Sequence, residues 1–288
     1  MTDRLVAANT DTRLLVPGVL GAATILTQIA WILVPDSWRD TLTIAGVALF
    51  FLTTATHALI TRGPRWALAY LAVSLTFGWA VEAIGVNSGA IFGEYLYADR
   101  LGPKLAGVPI VIPMAWAMMA YPVWLAARRT VSARWSVIMF AAAMMTAWDI
   151  FLDPQMVDEG HWTWSDPEPA LPGVAGIPAQ NYAGWLVATL VLMTLIELLP
   201  RKWQRPCAPS VGLGHDPSGS VVQSCDDRVP AAMLIWVYTS NVMANALFWG
   251  RPSVALVGGL VMGVLVFFWL RSGVATASFW TRREPVDV

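Results

Sequence analysis

Asp149 and Asp153 stand one helical turn apart in the stretch Trp148 to Asn181, WDIFLDPQMVDEGHWTWSDPEPALPGVAGIPAQN. Here an apolar segment ends and an acidic, aromatic loop begins. If the helix persists to its end, the two carboxylates share one face. Two acids that close resist ionising together, and burial strengthens the resistance. One of them is expected to hold a proton at neutral pH, which is what a general acid requires. A third acid, Glu82, lies in the run GWAVEAIGVNSGAIFGEYLY, inside an apolar segment. A charge in mid-span costs roughly 2.5–3.5 kcal/mol, and such residues face a bundle interior or a watery cavity. At about 1.5 Å per residue from Trp66, Glu82 lies roughly 24 Å along its helix. Acid chemistry in an apolar setting suits these residue types at this spacing.

The elements that must hold these acids are hydrophobic. Of 288 residues, 57% are hydrophobic and 13% charged, with 16 Trp and a mean hydropathy of +0.57. That argues against a soluble domain and against a nucleic-acid partner, and predicts an all-α, polytopic transmembrane bundle surrounded by membrane lipids. A spanning helix needs about 20 mostly apolar residues. Runs of that kind cover Leu14 to Val34, Leu42 to Ile60, Trp66 to Val86, Val108 to Ala127, Trp135 to Leu152, Tyr182 to Leu199, Ala231 to Trp249 and Val254 to Leu270. The expectation is therefore about eight spans, seven at the lower count, forming a single transmembrane domain over residues 1–288. All but four of the 18 Lys and Arg fall on the side of the two termini, leaving Arg39, Arg100, Lys104 and Arg251 opposite. The positive-inside rule then makes both termini cytoplasmic, and the membrane is expected to be the plasma membrane. A split this clean also supports the even count.

Local signals refine this frame. Pro154 is expected to end the fifth helix at Asp153, because a residue preceding proline avoids the α region. The connector from Asn87 to Gly107 is too apolar at Ala90-Ile91-Phe92 for a free loop and predicts a re-entrant or interfacial element. Glu197 is expected to form a surface pair with Arg201. His57 reads as a packing residue. His57, His161 and His215 are too scattered for a zinc site, and no metal or cofactor is predicted. The polar segment 201–230 reads as a mobile cytoplasmic loop, where Cys207 and Cys225 would stay reduced.

Alternating the spans brings Glu82, Asp149, Asp153, Asn181 and Asn245 to a similar depth near one face. Trp79, Trp116 and Trp148 lie at comparable depth and offer π faces to a cation. Met118, in a stripe with Met114 and Met119, suits the wall of a slot for a long apolar ligand because methionine adapts its shape.

The blocks GWAVEAIGVNSGAIFGEYLY, GVPIVIPMAWAMMAYP and AWDIFLDPQMVDEGHWTW…GIPAQNYAGW resemble the membrane-bound carotenoid hydratases of the CruF type, over roughly Leu68 to Leu199. The resemblance implies addition of water to the terminal double bond of an acyclic carotenoid, C50 bisanhydrobacterioruberin-like or C40 lycopene-like. It implies a substrate dissolved in the bilayer and other carotenoid-pathway enzymes as neighbours. It assigns no catalytic residue. The chemistry of hydration assigns Asp149 as proton donor, with Glu82 or Asp153 orienting and deprotonating the water. Trp79 and Trp148 would stabilise the cation, and Asn181 would help hold the water. Alternatives are a carotenoid end-group cyclase, a membrane prenyltransferase with Asp149 and Asp153 as a metal-diphosphate motif, and a non-enzymatic carotenoid-binding protein or proton-coupled transporter using the same acids.

Overall fold

The computed structural model describes residues 13–205 and 226–275. Among the described residues eight α-helices form: α1 (Leu15–Leu33), α2 (Asp36–Thr61), α3 (Pro64–Ser88), α4 (Val111–Thr130), α5 (Arg134–Asp158), α6 (Ala179–Leu198), α7 (Arg228–Leu247) and α8 (Pro252–Ala275). Each coincides with one of the eight apolar runs. By length and composition six of them, α1, α2, α3, α5, α6 and α8, are apolar enough to cross a membrane. The two others are distinguished by where they sit and what they carry. Helix α4 is packed by α2, α3, α5, α7 and α8, and its residues are buried almost without a break from Val111 to Ala127. A helix shielded on all sides is selected for packing rather than for solubility in lipid, which accounts for its Trp, Tyr, Met, Ala and Pro content. Helix α7 opens on Arg228 and carries Asn241 and Asn245.

Two connectors at one end of the bundle fold into a cap. The α3–α4 connector contains β1 (Tyr95–Tyr97), β2 (Lys104–Leu105) and β3 (Val108–Pro109), and the α5–α6 connector contains β4 (Trp162–Trp164), β5 (Ala170–Leu171) and β6 (Val174–Pro178). β1 pairs antiparallel with β4, setting Tyr95 opposite Trp164 and Tyr97 opposite Trp162. β2 pairs with β3, and β5 with β6. Strand alternation sends Tyr95 and Tyr97 to the buried face and leaves Leu96 exposed. The expected re-entrant element is therefore a β-structured cap. Ile91 and Phe92 are its inner edge, lying against α6 where Gly184 leaves room.

Helix α5 departs from expectation. It runs through Pro154 to Asp158 rather than stopping at Asp153. A proline deletes one backbone hydrogen bond and crowds the preceding turn, but packing around this segment, with Ile150, Phe151 and Met156 all buried, holds the helical path. Asp149 and Asp153 are thus one turn apart within a continuous helix.

The opposite end is tied by buried charge. Asp227 accepts ion pairs from Arg62 at 2.6 Å and Arg129 at 3.0 Å. Burial opposes its ionisation, but Arg62 and Arg129 outweigh that and hold the carboxyl below its ordinary range. His57 donates from Nε2 to the Asp226 carbonyl at 2.9 Å and accepts from the Tyr121 hydroxyl at 3.1 Å. Arg205 N donates to the Arg62 carbonyl at 2.7 Å. The ends of the 201–230 segment are therefore anchored, while residues 206–225, with Cys207, His215 and Cys225, lie outside the described residues. Glu197 is not a surface group: it is buried, pairs with Arg128 at 3.2 Å and accepts from Trp124 Nε1 at 2.7 Å.

Two stability predictions follow from this frame. A Cβ at Gly184 would run into the Ile91 carbonyl, so Gly184→Ala is expected to cost about 1–3 kcal/mol through overpacking and to loosen the cap. Asp227→Asn removes the negative charge facing buried Arg62 and half-buried Arg129 and is expected to cost about 3–5 kcal/mol. Thermal unfolding in detergent, with proteolysis across the cap, measures both.

Candidate active site

Under the cap lies a cavity of about 80 Å³, lined by Glu82, Asp153 and Asn181 together with an aromatic wall. The wall includes Trp116, Trp148, Trp162, Trp164 and Trp185 with Phe92, Tyr95 and Tyr97; Met118 completes one side. By the volume a water centre needs, the space admits a handful of waters or the tip of a branched hydrocarbon.

Glu82 belongs to α3, one turn from the point where Gly85 lets the Phe92 ring close in; a Cβ there would lie 2.7 Å from Phe92 Cδ2. Its Oε2 accepts from the hydroxyls of Tyr95 at 2.5 Å and Tyr97 at 2.8 Å, and its Oε1 accepts from Trp116 Nε1 at 2.9 Å. Three donors and no acceptor surround the group, which is the pattern of a carboxylate. Burial, then the charge of Glu82, pushes both tyrosine hydroxyls well above their ordinary range. They therefore remain phenols and donate.

The aspartates form a second unit. The side-chain nitrogen of Asn181 donates to Asp149 Oδ2 at 2.9 Å and also to Asp153 Oδ2. Trp162 Nε1 donates to Asp153 Oδ1 at 3.1 Å. The two carboxyl groups thus meet at one Asn181 nitrogen, one helical turn apart on α5. Asp149 Oδ1 is buried without a partner, as is the hydroxyl of Tyr182 next to Asn181 in sequence. Asp153 faces the cavity, whereas Asp149, fully buried, sits one layer behind it.

Trp116 and Trp185 stack with centroids 4.3 Å apart, and Trp148 meets Trp185 edge-on at 6.2 Å. These faces can attract a positive charge formed in the cavity. Gly78 makes the position of Trp116 possible, since a Cβ there would lie 2.9 Å from Trp116 Cβ.

The expected site residues are thus largely gathered, with three differences. Trp79 does not reach the cavity; its indole donates to the Leu105 carbonyl at 3.2 Å, under the β2–β3 hairpin. Asn245 is buried but donates to the Asn241 carbonyl at 2.9 Å and lines neither the cavity nor its approaches. Asn181 commits its amide hydrogens to the aspartates rather than to a water. Sequence reasoning missed Tyr95, Tyr97, Trp162 and Trp164 as site residues. The alternation Tyr-Leu-Tyr and Trp-Thr-Trp was the available signal, since period two reads as paired strands. It also missed Trp185, one turn past Asn181 on the same face of α6.

The sequence profile described as carotenoid biosynthesis protein matches residues 41–265. The chain belongs to the carotenoid biosynthesis protein family. All the cavity residues named above fall within the matched span. Among characterised proteins, the chain is similar to bisanhydrobacterioruberin hydratase of Haloarcula japonica, with 29% identity over 203 residues, covering 68% of this chain and 67% of the relative. No solved structure matches the chain. In this member of the carotenoid biosynthesis family, Glu82→Leu would strand three buried donors. The expected cost is roughly 3 kcal/mol or more, against a smaller loss for Glu82→Gln, which keeps an acceptor; thermal unfolding of the two variants checks the order.

Proposed function

We propose that the protein is a carotenoid hydratase, adding water to the terminal double bond of an acyclic polyene to give a tertiary alcohol. The observation that carries this reading is the aspartate pair, bonded to one amide, at the wall of a tryptophan-lined cavity that also holds Glu82. The printed name of the Haloarcula relative supports the same reaction class.

Asp153 faces the cavity, so it delivers the proton, with Asp149 behind it sharing and restoring that proton. This reverses the order expected from sequence, in which Asp149 is the donor. The alkene π electrons form a C–H bond at the less substituted carbon, the carboxyl O–H bond breaks, and its electron pair stays on the aspartates. The tertiary cation faces Trp148, Trp185 and Trp116 and the negative charge of Glu82. Glu82 has one lone-pair direction left after its three hydrogen bonds, and there it orients the water. A water lone pair closes the C–O bond, the surplus proton returns to Asp153, and the site is reset. General acid catalysis of this kind is worth about 10²–10⁴ in rate.

The substrate is a C50 bisanhydrobacterioruberin-like or C40 lycopene-like polyene, held in the bilayer. We read all eight helices as spans of one transmembrane domain in the plasma membrane, with the cap outside and both termini cytoplasmic. The Lys and Arg asymmetry supports this reading, and other pathway enzymes are its expected neighbours.

Expression in hosts accumulating lycopene or an acyclic C50 carotenoid tests the reading. The expected product is heavier by one water and carries ¹⁸O from labelled solvent. Asp153→Asn and Asp149→Asn should each lower its formation by about 10²–10⁴, with the protein still present in membranes. An unchanged mass with a new ring would indicate a cyclase, and addition of a C5 unit a prenyltransferase. Full activity of Asp153→Asn would remove it from the acid role.

A further inference from the structure

The acid cavity is too small for a polyene, and the structure holds a second space beside it. A groove of about 280 Å³ runs among α1, α2, α5 and α7. Thr43, Val47, Met118, Trp148, Leu152 and Met156 line both spaces, so the two adjoin across a shared wall of side chains. We propose that this groove is the binding site for the hydrocarbon chain of the substrate, and that the chain enters it sideways from the bilayer through a window between α1 and α7.

Two ties frame the window. At one end Trp236 Nε1 on α7 donates to Gln28 Oε1 on α1 at 2.6 Å. At the other, Trp31 meets Trp249 edge-on at 5.7 Å. That second tie is backed by cations: Arg39 lies 4.8 Å over Trp31 and Arg251 5.0 Å over Trp249. Both guanidinium groups also pair with the end of α5, Arg39 with Glu159 at 3.1 Å and Arg251 with Asp158 at 3.2 Å. In sequence, Ile29 falls between the α1 members of the two ties and Met243 between their partners Trp236 and Trp249. Both line the groove and are exposed, as residues at the mouth of a groove would be. In a membrane that mouth meets acyl chains, so the window opens to lipid.

The occupant follows from where the groove leads. An apolar groove that ends against the wall of an acid cavity suits a long apolar molecule whose tip must reach a proton donor. A groove for a phospholipid tail would need no such inner end. A chain that leaves lipid gains nothing from the hydrophobic effect, so close van der Waals fit must hold it, which Met118 and Met156 can provide. The inference uses the hydratase reading only for the end that reacts; the route and the groove are read from geometry.

Photo-cross-linking tests the route independently of catalysis. A benzophenone amino acid is placed at Ile29 or Met243, in membranes of a lycopene-accumulating host, in protein that also carries Asp153→Asn. Controls place it at Ile84 on α3 and Val187 on α6, which are exposed near the same cap. The expected result is a coloured polyene adduct at Ile29 and Met243 at least tenfold above Ile84 and Val187. Equal labelling at all four, labelling only at α3 and α6, or colourless lipid adducts alone would overturn the proposal. A groove-filling variant gives a second reading. A Cβ at Gly46 would meet only Gln28 Cγ and Thr27 Cγ2, both at 3.9 Å. Gly46→Phe should lose the polyene adduct at least tenfold, and an undiminished adduct in Gly46→Phe contradicts the assignment. Adducts in this protein, with no hydrated product from the parent that keeps Asp153, would leave the groove standing and remove the hydratase reading instead.

Discussion

A carboxyl group surrounded by hydrocarbon must find a proton, a donor or a counter-ion, and three such groups at one depth dictate much of what surrounds them. Glu82 is met by three N–H and O–H donors, two of them from the cap. Asp149 and Asp153 are met by one amide and one indole. Among the described residues no guanidinium or ammonium group pairs with either set: the charged pairs of the bundle lie at its two ends. The acids are therefore solvated by neutral donors, an arrangement that leaves them reactive where an ion pair would quench them.

That requirement explains why two connectors fold into strands. A helix alone presents donors only through side chains along one stripe, and α3 has none close enough to saturate Glu82. Pairing Tyr95–Tyr97 with Trp162–Trp164 places two phenols and an indole over the same cavity, with the strand backbones satisfying one another. The close approaches at Gly78, Gly85 and Gly184 follow from the same need. Each lets an aromatic ring or the cap backbone reach a helix at a distance that a side chain would prohibit.

The helices were legible in the sequence because eight apolar runs separated by charge or proline leave little choice of boundary. Glu82, Asp149, Asp153 and Asn181 were legible for a related reason: polar groups in such runs stand out against their surroundings. The cap was harder to read, since strands of two or three residues are fixed by long-range pairing rather than by local preference. Trp79 and Trp185 show the limit plainly. Depth along a helix placed Trp79 near the acids, but depth carries no rotational information: Trp79 turns toward the β2–β3 hairpin, while Trp185, which the sequence reading passed over, turns into the cavity. The continuation of α5 past Pro154 was likewise hidden, because a local steric bias lost to packing on the far side of the chain.

The functional account rests on one proton held between Asp149 and Asp153 while Glu82 stays ionised nearby. Infrared difference spectroscopy on exchange from H₂O to D₂O reads this directly, through the carbonyl stretch of a protonated carboxylic acid. The account predicts one such band with a deuterium shift at neutral pH, absent from both Asp149→Asn and Asp153→Asn and retained in Glu82→Gln. A band lost only in Glu82→Gln, or no protonated carboxyl at all, would contradict it.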